Sequence, residues 1–163
     1  MIGYAILGLS IGLPLLLGLV FRVSSSHLFF SVMAGELLAR YFGRDAESLA
    51  HSLAHNESVG SYAEIAILLA PMILTALLLR RTLSAAKAML HTVPLAITGV
   101  VFAAFALPLL PDGLQDTIRS TQVGDKLLNL NSFIIGGVVV AQLLALWLLN
   151  YGEAESSKKR RKR

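Results

Sequence analysis

Residues 1–21 read MIGYAILGLSIGLPLLLGLVF, and no charged side chain interrupts them. As a helix rising 1.5 Å per residue, such a run is about 30 Å long, the thickness of a bilayer's hydrocarbon core. Residues 88–111 and 127–152 are likewise free of Asp, Glu, Lys and Arg. Three such runs in 163 residues decide the class: an all-α, polytopic transmembrane helix bundle. Residues 1–21 lack a basic n-region and a small-residue cleavage site, so they read as a retained helix and not a removed signal peptide.

The composition agrees. Charged residues make up 15% of the chain and apolar residues 55%, whereas soluble domains carry roughly a quarter charged residues. The formal charge of +4 comes from the end, where KKRRKR supplies six of the fourteen basic residues. Without that tail the chain is slightly acidic, which argues against a nucleic-acid partner. There is no cysteine, hence no disulfide, no thiolate metal ligand and no Cys nucleophile.

Two shorter apolar runs complete the count. The expectation is five spans, near residues 2–21, 23–42, 59–79, 88–110 and 129–150, forming one domain over 1–152 with a basic tail at 153–163. Basic residues gather on the cytoplasmic side of membrane proteins. With the tail inside and five spans, the N-terminus lies outside. The inner side then holds Arg22, Arg80, Arg81, Lys87 and the six tail residues, ten against the outer four of Arg40, Arg44, Arg119 and Lys126. Between spans two and three, Ala46, Leu49, Ala50, Leu53 and Ala54 fall at helical spacing. They predict a short amphipathic helix lying on the outer surface. Leu114 and Ile118 repeat that theme before the last span. Small residues four apart (Gly8 and Gly12, Ser31 and Gly35, Gly99 and Ala103, Gly137 and Ala141) predict close helix packing and self-association.

The second span holds the main candidate site. Its stretch SVMAGELLARYFGRD (31–45) places Glu36 inside an apolar run with Arg40 one turn later. A carboxylate in a span costs about 2.5–3.5 kcal/mol, so it takes a partner, water or a proton. Span three runs back with Glu64 at a similar expected depth. Two readings fit the cluster Glu36, Arg40 and Glu64. One is a proton- or cation-handling pair facing a shared cavity. The other is a structural clasp in which the arginine pins the two helices together, and the clasp is the expected outcome.

Other polar residues have blander roles. Glu47, His51 and His55 share a helical face at a spacing that metal sites use, but a solvated polar face is the expected reading, with no metal. His91 and His27 read as interfacial residues. Gln142, mid-span, is expected to hydrogen-bond to a neighbouring helix, with a polar lining of a pore as the alternative. Trp147 and Tyr151 fit an interfacial aromatic belt. Lys158, Lys159, Arg160, Arg161, Lys162 and Arg163 are placed to contact anionic lipid headgroups, at about 1 kcal/mol each. No Ser/His/Asp arrangement, nucleophile elbow, zincin motif or phosphate-cradling glycine loop appears, so neither an enzyme nor a cofactor is expected.

In order, the segments YAILGLSIGLPLLLGLVFRV, GELLARYFG, AILLAPMILTALLLRRTL and LAITGVVFAAFALPLLP, followed by LQDTIRSTQVGDKLL, resemble the layout of the colicin V production protein family. The likeness covers about residues 4–128 and consists of span order, loop lengths and an arginine-ended third helix. The family's usual glycine-arginine element after the first helix is reduced here to Arg22. LSAAKAMLHTVP does not supply its arginine- and glycine-bearing element before helix four, and the fifth span is extra. The resemblance implies a bacterial inner-membrane protein linked to secretion or envelope homeostasis, with no catalytic residues to carry over. The functional expectation is therefore a non-enzymatic, oligomeric channel-like or accessory component of transport or secretion. The alternative is a small proton- or cation-coupled transporter using the glutamate pair.

Overall fold

The computed structural model describes residues 2–54, 57–80, 91–129, 135–144 and 147, and among them only helices and their connections occur. In chain order these are α1 (Ile2–Phe21), α2 (Ser25–Ala54), α3 (Glu57–Leu78), α4 (Thr92–Ala106) with a 3-10 turn at Leu107–Leu109, α5 (Asp112–Arg119), α6 (Gln122–Leu128) and α7 (Ile135–Leu144). Three of them are long and apolar enough to cross a membrane: α1, the Gly60–Leu78 part of α3, and α4 with its 3-10 extension to Leu109. α2 is long but more polar, and α7 is a shorter apolar helix.

α1 matches its expected bounds, and the reason it stops is local. Arg22 takes φ 53°, the left-handed conformation that ends many helices. The Val23 amide then donates back to the Gly18 carbonyl at 3.1 Å, closing the six-residue loop of a Schellman motif. Val23 itself is fully buried, which locks the reversal into α2.

α2 departs from expectation. The apolar run to Phe42 and the amphipathic segment after it form one helix of 30 residues, about 45 Å long. Arg44, Asp45 and Glu47 mark where the chain becomes polar, but no helix breaker follows them. Hydropathy reads the boundary of an apolar layer, and a helix can cross it intact. α2 therefore turns directly into α3, and the two form a long antiparallel hairpin.

Two close antiparallel pairs organise the bundle: α2 with α3, and α1 with α4. Each is made where a glycine lets backbones touch. A methyl group on Gly35 would run into the Leu68 carbonyl, and one on Gly99 into the Ile11 carbonyl. Gly18 similarly admits the Leu95 side chain. α4 is the central helix, buried along Leu95, Thr98, Val101, Phe102 and Ala103. The α1–α4 pair meets the hairpin across Leu28, Phe29, Val32, Leu68, Met72 and Phe102. Gly8, Gly12 and Gly137 have nothing near their missing side chains, so only part of the small-residue pattern serves packing within the chain.

The two ends of the bundle differ. At the end of the Arg22 turn (the lower end), the Arg80 guanidinium lies 5.9 Å above the Phe21 ring. Ser25 Oγ there meets His91 Nδ1 at 2.8 Å, tying the start of α2 to the start of α4. At the upper end α5 and α6 fold over α1, with Gly3 under the Thr117 carbonyl and Ile118 fully buried. Thr121 caps α6 by accepting from the Gly124 amide at 3.1 Å, the usual N-cap device.

Glycine contact with backbone predicts an asymmetric substitution pattern. Gly35→Ala and Gly99→Ala should each cost about 1–3 kcal/mol through overpacking. Gly8→Ala, at an open position, should be neutral or gain up to about 1 kcal/mol of helix propensity. Thermal unfolding of the purified protein in detergent, followed by circular dichroism, checks the order.

Candidate functional site: a charged cleft at the upper end

Met33, Glu36, Leu37, Arg40 and Arg44 recur every three or four residues along α2 and so form one stripe. That stripe lines a cleft of about 680 Å³ between the hairpin and α4. Glu36 and Arg40 pair within α2, with Arg40 Nε donating to Glu36 Oε1 at 2.6 Å. Glutamate four residues before a cation is the favourable order on a helix. The glutamate side chain is 14% exposed and the arginine 72%, so the pair reaches from the wall into open space.

α3 contributes Glu64 to the same cleft. Its position depends on Gly43, where a Cβ would lie 2.9 Å from Glu64 Oε1. Gly60 does the same for Glu47, whose Cγ lies 2.6 Å from where a Cβ would be. The charges that act on Glu64 are those of Glu47 and Arg44. The hairpin register thus sets the Glu64 carboxylate opposite residues 43–44, about two turns above Glu36, so the two carboxylates share a cleft but not a level. Among the described residues no ion pair joins Arg40 to Glu64. The expected arginine clasp between helices is instead a pair within α2, and glycine contacts hold the hairpin.

The facing wall is apolar. Ala104 and Phe105 of α4, Pro108 and Leu109 of the 3-10 turn, and Ile135 and Val139 of α7 supply it. The prolines at 108 and 111 interrupt helical bonding there, and Gln115 repairs the loss. Its Nε2 donates to the Pro108 carbonyl at 3.0 Å and the Leu110 carbonyl at 2.7 Å. A smaller hollow of about 420 Å³, around Ser61, Asp112 and Gln115, adjoins the cleft and shares Glu64 with it.

The remaining sequence candidates lie elsewhere. Gln142 is 1% exposed and stands outside the cleft lining. Its Nε2 donates to the Pro94 carbonyl at 3.0 Å and approaches Thr98 Oγ1 at 3.4 Å, joining α7 to α4. Because a carbonyl only accepts, the amide orientation follows, and Gln142 Oε1 has no partner among the described residues. Glu47 sits on α2 over Gly60. The side chain of His51, the whole of His55, and the tail Lys158, Lys159, Arg160, Arg161, Lys162 and Arg163 lie outside the described residues. No group of three metal-binding side chains occurs among the described residues. The sequence reading missed Gly43, the apolar wall and the Ser25–His91 contact. The first had a signal in its spacing from Glu47 and Gly60, and the others depend on residues far apart in the chain.

No family model, curated protein or solved structure matches this chain.

Gln142 yields a test of the orphaned atom. Gln142→Leu removes one interhelical hydrogen bond, worth about 1 kcal/mol, together with an unsatisfied buried oxygen costing about 1–3 kcal/mol. Thr98 Oγ1 still donates to the Pro94 carbonyl at 2.9 Å. The substitution should leave the unfolding temperature unchanged or raise it, and a clear fall would mean that Oε1 has a partner in the folded protein.

Proposed function

We propose that this chain is a non-enzymatic integral protein of a bacterial cytoplasmic membrane. It would work as a channel-like or accessory component of transport or secretion, self-associated or with another membrane protein. The observation that carries this reading is the charged cleft, set against a wall of apolar side chains in a bundle with three helices long and apolar enough to cross a membrane. A hollow lined mainly by apolar side chains with a few convergent charged groups has the form of a ligand site.

Aromatic side chains support the membrane setting. Tyr41 of α2 and Tyr62 of α3 stand at one level of the hairpin, Tyr4 lies near the upper end of α1, and all three are exposed. From Tyr62 down to Arg80 is about 27 Å at helical rise, close to the hydrocarbon thickness between two interfaces. Exposed Trp147 follows α7 toward the other end. Tyrosine and tryptophan favour both interfaces of a bilayer. α2 packs along α3 from Glu47 at Gly60 to Gly35 on Leu68, which favours counting α2 as a span. With α7 as the last one, the proposed arrangement is five spans, upper end outside and tail in the cytoplasm. The tail would then lie against anionic lipid. A cysteine placed at Ser48 should react with an impermeant reagent in intact cells, and one at Ser157 should not; the reverse labelling refutes the orientation.

The second reading, a small proton- or cation-coupled transporter, is favoured by one observation: Glu36 and Glu64 line the same hollow. In liposomes loaded with a pH-sensitive dye, that reading expects a gradient-driven flux which the double substitution Glu36→Gln, Glu64→Gln abolishes. Flux that persists in the double variant sinks it.

A further inference from the structure

We propose that the cleft holds a phospholipid with a primary-ammonium, zwitterionic headgroup, taken from the bilayer with its phosphate toward Arg40 and Arg44 and its ammonium toward Glu64. The inference rests on the membrane-spanning reading above and names the ligand class of that same cleft.

The two walls exclude simpler ligands. A small ion would leave Phe105, Leu109 and Val139 facing water, and an apolar molecule would strip water from four charged groups without replacing it. An amphiphile satisfies both walls at once. The cleft's volume of about 680 Å³ falls within the usual range for ligand sites, about 300–1,000 Å³.

Charge then selects among amphiphiles. The cleft carries two arginines and two glutamates, so it is balanced and suits a ligand with both signs. Among the described residues Arg40 bonds through Nε alone, to Glu36. Arg44 stands one turn above on the same stripe, about 6 Å along the axis. Two guanidinium groups at that spacing suit a phosphate, which accepts several charge-assisted bonds. Glu64 is the remaining acceptor. Its carboxylate rests in the space left by Gly43, where an ammonium a few bonds from the phosphate would meet it. The adjoining hollow adds Asp112 on the same side, which reinforces a preference for a cation there.

Level gives the third argument. The charged end of the stripe brackets Tyr41, the proposed interface, while Met33 lies about 16 Å below Arg44 along α2. The polar-to-apolar order along the cleft is that of a lipid standing in its own leaflet, with the head at the interface and a chain along the α4–α7 wall.

The test uses the full-length protein, purified in detergent and mixed with equal amounts of phosphatidylethanolamine, phosphatidylglycerol and phosphatidylcholine. Native mass spectrometry then counts the lipids retained after stripping. The expected result is one phosphatidylethanolamine per chain, held in preference to the other two. Arg40→Gln with Arg44→Gln should weaken retention by about tenfold or more, and Glu64→Gln should erase the preference over phosphatidylglycerol. Arg40→Lys with Arg44→Lys, which keeps the charge, should retain more lipid than the glutamine pair, and Asp116→Asn, outside the cleft, should change nothing. Circular dichroism and gel filtration establish that each variant is folded. Equal retention of phosphatidylglycerol and phosphatidylethanolamine by the unsubstituted protein overturns the proposal. So does displacement of the lipid by soluble phosphoethanolamine, which would assign the cleft to a free zwitterion. A protein that fails to float with vesicles refutes the membrane reading itself, whereas one that floats yet holds no phosphatidylethanolamine refutes only the lipid assignment.

Discussion

Helix backbones touch only where one of them lacks a side chain, and this bundle is organised around such contacts. Gly35 lies on the Leu68 carbonyl and Gly99 on the Ile11 carbonyl. In an apolar surrounding there is little hydrophobic gain from bringing helices together, so van der Waals contact over a close interface has to hold them. Such an interface is sensitive to a single added methyl, because backbone cannot move aside as a side chain can. Both helix pairs therefore have a fixed register, and every polar group on them acquires a fixed neighbour.

The cleft follows from that register. α4 is shared, packed on α1 along one face and meeting the α2–α3 hairpin on another. The hairpin continues beyond the level where α4 stops at Ala106 and gives way to the 3-10 turn that holds Pro108. The hollow lies beside that change from helix to 3-10 turn. The hairpin's own small residues decide what faces into it, since Gly43 leaves space for Glu64 and Gly60 for Glu47. Gln115 keeps the 3-10 turn intact by bonding the carbonyls that the prolines leave without helical donors. The charged stripe and the apolar wall are thus consequences of one packing arrangement.

Much of this was legible in the sequence, and the misses have a common cause. The charge-free runs gave the helical class, the bounds of α1 and the apolar character of α4, and a shorter apolar run gave that of α3, because burial in an apolar layer is a property of composition over about twenty residues. The continuation of α2 beyond Phe42 was not legible. Composition reports where the surroundings change, and Arg44, Asp45 and Glu47 are good helix residues in water. Equal spacing did not tell Gly35 and Gly99, which carry contacts, from Gly8 and Gly12, which carry none within the chain. Only the partner helix distinguishes them. The glutamates were found because a charge in an apolar run is conspicuous, whereas the residues that place them, Gly43 and Pro108, are ordinary ones. Arg40 was read as joining Glu36 to Glu64, and among the described residues it pairs with Glu36, the partner on its own helix that needs no chain closure.

In the proposed five-span arrangement, that local pairing bears on how α2 would enter a bilayer. On its own, α2 is the least apolar of the long helices, with Glu36 and Arg40 in its apolar half. Their pairing across one turn brings opposite charges into contact as soon as the helix forms, before any tertiary contact exists. Glu64 has no such partner on α3, but it lies only four residues inside the Gly60–Leu78 segment, about 6 Å from its boundary. Each helix thus limits its own charge cost, one by internal pairing and the other by shallow placement. Only when the hairpin closes on its glycines do the four charged groups come to line one cleft. The price of carrying charge is met helix by helix, and the cleft is assembled afterwards by packing alone. Among the described residues Glu36 and Arg40 form the one ion pair on that wall, so Arg44 and Glu64 are the charges left to meet a ligand.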